Sequence, residues 1–523
     1  MRRIFFILAV AVLAGSTVSA QTGDQIKLPI VKTKDGELQG IVSSGIEIFK
    51  GIPFAQPPVG DLRWKEPQPV KPWAGVRTAD HFGPRAMQLP IYSDMNFRSD
   101  GVSEDCLYLN VWTPAKSHRE SLPVLVYFYG GGLMAGDGSE LRYDGESMAR
   151  KGIVAITVNY RLNIFGFFSH PELTKESPHH ASGNYGFLDQ VAALHWVKQN
   201  IRAFGGDPEK ITIAGESAGS YSVSVLMASP LSRQIIAGAI GESGSLLGLK
   251  PLSSLADAER RGVAFADSVH VKSISALRSL PADQVLEASS KMKLGGIPVD
   301  GYFLPKSPAA IYAAGEQAKI PLLVGWNSEE DNWKSILGSD SPTKENFIGA
   351  IRKMDKEHAD EILKIYHPAT DADVEAIGTD LASDRFIGFG TWNWSDMQAK
   401  TGGHKVYRYF YEHPRPETRG DKDLPRASGA VHSSEIEYAL GNLSTNRVYD
   451  WQPEDYLVSE ILQAYFTNFI KTGNPNGLGL PSWQAVVPDQ PATVLHVDAN
   501  TRAQTEKNRQ RYLSLRENFT MGN

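Results

Sequence analysis

The sequence predicts an α/β fold, a large and mostly parallel central sheet flanked by helices. Three observations point to it. Short apolar, β-branched runs at 122–128, 153–159, 210–214 and 235–240 read as buried strands. Between them lie stretches with helical spacing, such as Val191, Leu194 and Val197 after Asp189, and this alternation favours right-handed crossovers and parallel pairing. The third is Gly215-Glu216-Ser217-Ala218-Gly219, set between the strand at 210–214 and a predicted helix at 220–228. In that context Gly-x-Ser-x-Gly is a nucleophile elbow, a turn so tight that side chains two positions either side of the serine would collide. Glycine at 215 and 219 removes the collision. The serine oxygen then stands clear of the sheet, at the amino end of a helix whose dipole favours negative charge.

Composition bounds what the chain can be. With 41% hydrophobic and 21% charged residues over 523 positions, it can bury a large core. The formal charge of −6 does not indicate an electropositive nucleic-acid surface. Met1-Arg2-Arg3, an apolar run at 4–14 and Val18-Ser19-Ala20 read as a signal peptide over 1–20, cleaved after Ala20. That run is too short to span a bilayer comfortably and no second candidate follows. The expectation is therefore a secreted or periplasmic protein with no stable membrane insertion. No stretch has a linker's composition, so 21–523 are expected to form one domain. Cys106 is the only cysteine, can form no internal bridge, and is expected to be a buried thiol.

Taken in order, 26–42 alternates as hairpin strands about Asp35-Gly36. A proline-stiffened loop at 49–64 ends in Arg63-Trp64, and 103–111 reads as an alternating strand. The strand at 122–128 runs into Tyr129-Gly130-Gly131-Gly132-Leu133. Three glycines there let backbone N–H groups converge on one point, as an oxyanion hole requires. A second serine, in Gly241-Glu242-Ser243-Gly244-Ser245, lacks the elbow's spacing and is assigned a supporting hydrogen bond. Residues 251–295 read as polar-faced helices, 320–325 and 405–411 as strands, and 456–471 as a helix. A charged helical insertion at roughly 330–400, with Trp392 and Trp394 near its end, is expected to lie over the site.

The run at 204–219, which contains the elbow, resembles the active-serine signature of the type B carboxylesterases, the cholinesterase-like α/β-hydrolases. The runs at 49–64 and 103–111 resemble further motifs of that family. The resemblance implies structural ion pairs Arg63–Glu104 and Arg161–Asp189. It also implies that Ala86, in Pro84-Arg85-Ala86-Met87-Gln88, stands where relatives carry the cysteine bridged to the equivalent of Cys106. It implies an oxyanion hole of Gly131, Gly132 and Ala218. Substrate-pocket candidates are Leu133, where relatives usually carry an aromatic, Glu216 and Trp392.

A serine hydroxyl needs a base, and the base an orienting acid. In α/β-hydrolases the chain order is Ser, acid, His. The acid site is 325–331, just after a predicted strand, and the His site is 429–438, on a loop before a helix. Both match motifs of the family, which makes Glu330 the acid and His432 the base. Asp331 departs from the pattern by replacing a glycine, and that puts the choice between Glu329 and Glu330 at issue. The activity implied is hydrolysis of a small-molecule carboxylic ester through an acyl-enzyme. Amide, thioester and specialised detoxifying ester hydrolysis share the machinery, and relatives without the serine are adhesion proteins. No cofactor is needed, and without a His-x-x-x-His cluster or a cysteine set a metal mechanism is disfavoured.

Overall fold

The computed structural model describes residues 28–249, 251–292, 296–420 and 427–519. The signal peptide expected over 1–20 lies outside them. Among the described residues, eleven strands form one sheet. They are β1 (Ile41–Ser43), β2 (Ile46–Pro53), β3 (Tyr108–Thr113), β4 (Leu122–Phe128), β5 (Val154–Val158), β6 (Gly206–Glu216), β7 (Gly238–Glu242), β8 (Leu322–Asn327), β9 (Val406–Tyr411), β10 (Thr493–Val497) and β11 (Arg502–Thr505). Their spatial order is β11-β10-β9-β8-β7-β6-β4-β5-β3-β2-β1. From β5 to β10 every pairing is parallel; antiparallel strands close both edges. Runs such as Val124 to Phe128 and Val154 to Val158 are buried throughout, because a parallel sheet with helices on both faces leaves no strand face to solvent.

The topology places the site. From β4 the chain passes to β5 on one side, then returns to put β6 on the other. The sheet order thus reverses at β4, and ligand crevices in such sheets open beyond the carboxyl ends of the strands at that reversal. The Gly-rich run follows β4 and Ser217 follows β6, so both emerge there side by side. Helix α1 (Tyr185–Asn200) and helix α2 (Ala218–Ala228) cover the centre of the sheet. Residues 334–401 carry further helices, including α3 (Val374–Ser383) and α4 (Phe389–Thr401), joined by a single wide π turn at Asp384–Gly388.

Of the strand boundaries that differ from the sequence reading, two have a clear local reason. The run at 103–111 is broken: Val102–Ser103 pairs with Arg85–Ala86, and β3 begins only at Tyr108. The Ser103 hydroxyl accepts from the Asp105 N–H, turning the chain so that Glu104 meets Arg63 in a two-bonded pair at 2.6 Å each. The strand expected at 235–240 lies at Gly238–Glu242, because its register against β6 pairs Thr212 with Gly238 and Glu216 with Glu242. That shift delivers Ser243 directly off the strand end.

Both expected structural ion pairs are present. Arg161 meets both oxygens of Asp189 at 2.7 and 2.8 Å, and its own backbone N–H donates to the same carboxylate. Cutting one partner from such a buried pair costs about 3–5 kcal/mol. Cys106 is buried and free, and burial pushes its thiol pKa up. Ala86 and Cys106 line the same small cavity beneath Arg63 and Trp64, which fits a bridge position left vacant.

Candidate active site

Ser217 has φ 54° and ψ −118°, well outside the regions an L-residue prefers. Such strain persists only where the surroundings over-determine it. Here two glycines make it possible: a Cβ at Gly219 would lie 2.0 Å from the Phe128 carbonyl oxygen, and one at Gly215 2.6 Å from the Gly219 carbonyl carbon. The serine N–H donates to the Glu242 carbonyl at 2.9 Å, tying the turn to the neighbouring strand β7.

The chain returns twice more to this point. His432 brings its Nε2 to 2.9 Å from the Ser217 Oγ and its Nδ1 to 2.5 Å from the Glu330 Oε2. The other Glu330 oxygen accepts from the Asn327 backbone N–H at 2.6 Å and from the Ser243 hydroxyl at 2.5 Å. Ser243 therefore holds the supporting position expected of it. Glu329 faces away and takes a hydrogen bond from the Ser428 hydroxyl. Asp331 is not among the residues with positive φ, so replacing glycine imposes no strain there and the loop keeps Glu330 in place. Its N–H donates to the Ser383 hydroxyl at 3.2 Å, anchoring the loop to α3.

The three expected donors follow the ends of β4 and β6, which are hydrogen-bonded neighbours. Gly131 and Gly132 have φ of 104° and 64°, and a Cβ on Gly131 would sit 2.2 Å from the Ala135 carbonyl oxygen. Among the described residues, the backbone N–H groups of Gly131, Gly132 and Ala218 donate to no protein acceptor. Ala218 also opens α2, whose dipole adds to their positive potential.

Glu216, Glu330 and Glu435 lie around the imidazole, and Glu242 lies behind Glu216 and Glu435. Glu216 is 2% exposed and brings Oε1 to 3.3 Å from the same Nε2 that faces Ser217. Glu435 accepts from Asn327 Nδ2 at 2.6 Å and Glu242 from the Tyr127 hydroxyl at 3.1 Å. Burial raises the pKa of Glu216, Glu242 and Glu435. Burial alone would lower that of His432, but the charges of Glu216 and Glu330 outweigh it and hold the imidazolium up. Glu216 and His432 thus compete for one proton.

The pocket candidates separate. Leu133, at φ 59°, is half-buried on the Gly-rich turn, and its carbonyl accepts from the Asn163 N–H. Glu216 turns under His432. Trp392 is corrected: it is fully buried, stacks on Tyr512 at 5.1 Å between centroids, and has the Arg516 guanidinium 4.7 Å over its ring. No substrate reaches it. The residue that meets the imidazole from the helical region is instead Phe386, edge-on at 5.1 Å, which the sequence reading did not single out. Glu435 was also missed: it reaches the site through the non-helical turn after His432, where Ser433 has φ 64°. Among the described residues no cluster of three or more His, Cys, Asp or Glu side chains could hold a metal ion.

A parallel sheet reversed at β4, a strained serine at its crest and a histidine between serine and carboxylate define an α/β-hydrolase. A profile described as the carboxylesterase family matches residues 27–514, and the chain belongs to that family. It is 37% identical to the fumonisin B1 esterase of Sphingopyxis macrogoltabida, over 82% of this chain and 78% of that one. It is 34% identical to liver carboxylesterase 1 of Oryctolagus cuniculus, over 95% and 94%. Among solved structures, a carboxylesterase of Geobacillus stearothermophilus superposes with a TM-score of 0.79 at 31% identity, covering 93% of this chain and 99% of that one. The protein is a serine carboxylic ester hydrolase.

Two substitutions separate the neighbouring carboxylates. Glu330→Gln keeps the shape but removes the charge facing Nδ1, and turnover should fall by roughly 10⁴, the loss that follows the analogous Asp→Asn change in a serine protease. Glu329→Gln should change it by less than about tenfold. The reverse pattern in steady-state assays would move the acid to Glu329. Glu216→Gln removes a charge that stabilises the imidazolium, so His432 should lose its proton at lower pH. The acid limb of kcat/KM should then move down by on the order of one pH unit. An unmoved or raised limb would contradict that role.

Proposed function

We propose that Ser217 is the nucleophile, His432 the general base and acid, and Glu330 the carboxylate that orients it. The observation that supports this most strongly is the imidazole, hydrogen-bonded to Glu330 through Nδ1 and to Ser217 through Nε2. On this reading the serine oxygen attacks the ester carbonyl while Nε2 takes its proton. The developing oxyanion is stabilised by the N–H groups of Gly131, Gly132 and Ala218, each such donor contributing about 10²–10³ in rate in comparable sites. The alcohol leaves with the proton from Nε2, and the acyl group stays on Ser217. Water, deprotonated by the same nitrogen, attacks the ester and releases the acid. Glu330 stays ionised and stabilises the imidazolium in both halves.

The substrate is a small-molecule ester. Relatives act on different ones, as the names fumonisin B1 esterase, cocaine esterase and pyrethroid hydrolase show, so a particular ester does not transfer with the family. The protein is also proposed to be exported, secreted or periplasmic, on the strength of the basic, apolar and small-residue pattern of positions 1–20. Among the described residues no helix is long and apolar enough to cross a membrane.

Ser217→Ala removes the attacking oxygen and should leave folding intact, since alanine fits the space. Esterase turnover should fall by on the order of 10⁶, as for loss of a triad serine elsewhere. A folded Ser217→Ala protein that keeps more than a few per cent of wild-type turnover would sink the assignment.

A further inference from the structure

A cavity of about 660 Å³ is lined by two residues, Tyr221 and Phe386, that also adjoin Ser217 and His432. Tyr221, one turn into α2, donates its backbone N–H to the Ser217 carbonyl and lines the cavity. Phe386, whose ring meets His432, lines it too. Leu246, Leu249 and Phe389 make much of the rest apolar. Such a chamber suits the body of an ester substrate.

One lining residue does not fit an apolar chamber. Arg385, next to Phe386 on the π turn, is the only cationic side chain lining the cavity among the described residues. It is half-buried, yet makes no hydrogen bond and no ion pair with any described residue. The carboxylates nearby are committed elsewhere. Asp384 takes bonds from the Tyr366 and Tyr512 hydroxyls and pairs with Arg511; Asp331 takes the Ser335 hydroxyl and the Asn332 N–H; Asp355 takes the His358 N–H and ring. Burial lowers the pKa of the Arg385 guanidinium, and the charges of Asp355 and Tyr366 offset this only in part. A partly desolvated guanidinium without a partner gains from any anion that reaches it, and its planar fork matches a carboxylate with two parallel N–H···O bonds. Asp331, Asp355 and Asp384 also line the cavity, which favours a singly charged carboxylate over a dianionic phosphate. The π turn puts Arg385 and Phe386 side by side, so the cation stands one residue from the ring that touches His432.

We propose that this cavity receives esters bearing a free carboxylate remote from the scissile bond, and that Arg385 determines that preference by pairing with it. This rests on the Ser217–His432 reading given above and adds a substrate class to it. Arg385 takes no part in bond making or breaking. The carboxylate sits on the acyl or the alcohol portion of the ester, and the test covers both.

Purified wild type, Arg385→Gln and Arg385→Lys are assayed on two matched pairs. One is para-nitrophenyl hexanoate with mono-para-nitrophenyl adipate; the other is butyl benzoate with the benzoyl ester of γ-hydroxybutyrate. In at least one pair the wild type should prefer the anionic ester. Arg385→Gln should cut the ratio of kcat/KM, anionic over neutral, by about ten- to a hundredfold, mostly through KM. Lysine should restore part of it, since it keeps the charge but not the fork. A ratio unchanged by Arg385→Gln in both pairs, or a wild type that hydrolyses the neutral esters and neither anionic one, would overturn the proposal and leave the esterase reading standing. A wild type inactive on all four esters would instead bring down the reading beneath it.

Discussion

The site depends on one backbone constraint, the left-handed turn at Ser217 held at the crest between β6 and α2. The strain is tolerated because the glycines at 215 and 219 let the Phe128 carbonyl and the following helix close in to distances no side chain would permit. Close packing at that point also fixes Gly131 and Gly132, since β4 and β6 are hydrogen-bonded neighbours whose ends rise together. A residue with a Cβ at 219 would have to push β4 away from the elbow. The serine would then leave both the His432 imidazole and the Gly131 and Gly132 N–H groups, although none of those residues had changed.

Around that fixed point the protein manages charge with glutamates. Glu216, Glu330 and Glu435 surround one imidazole with Glu242 next to them, and ionising all four in a buried place would be prohibitive. The structure resolves this by giving the carboxylates unequal surroundings. Glu330 is met by a backbone N–H, a serine hydroxyl and the histidine ring. Glu242 has a tyrosine hydroxyl on one oxygen and no partner on the other, and burial drives its pKa well up. Burial thus makes Glu242 and Glu435 weaker acids, while the charges of Glu216 and Glu330 face the imidazole. Groups whose surroundings push their proton affinities apart in this way are how acid and base roles are divided in one site.

Most of the candidate site was legible because its chemistry is written in local patterns. Ser217 needed the strand, two glycines and helix around it, and Gly131 and Gly132 needed a strand before them. Glu330 and His432 were found by chain order and flanking residues, and the structure joins them to Ser217 across more than a hundred positions of sequence at each step. Trp392 was misread for a reason that lies in its helix. Nearly every residue from Phe389 to Asp396 is buried, polar ones included, so α4 has no solvent face from which to infer which side looks toward the site. The pairing of Phe386 with His432 and the isolation of Arg385 arise from the π turn and from partners distant in sequence, neither of which leaves a local signal. The break before β3 was hidden because the alternation of 103–111 continues through the Ser103–Asp105 turn that presents Glu104 to the remote Arg63.

On the mechanism proposed, substrate acylates Ser217 and not the nearby Ser243. Ser243 also has positive φ and also follows a strand, but its hydroxyl is committed to Glu330. The most direct measurement is peptide mass mapping after reaction of the folded protein with an organophosphate, a probe that reacts at the activated hydroxyl and stays there. A single adduct on the peptide containing Ser217, formed as activity is lost in proportion and abolished by acid unfolding beforehand, is the predicted result. An adduct on Ser243, or loss of activity with Ser217 unmodified, would contradict it.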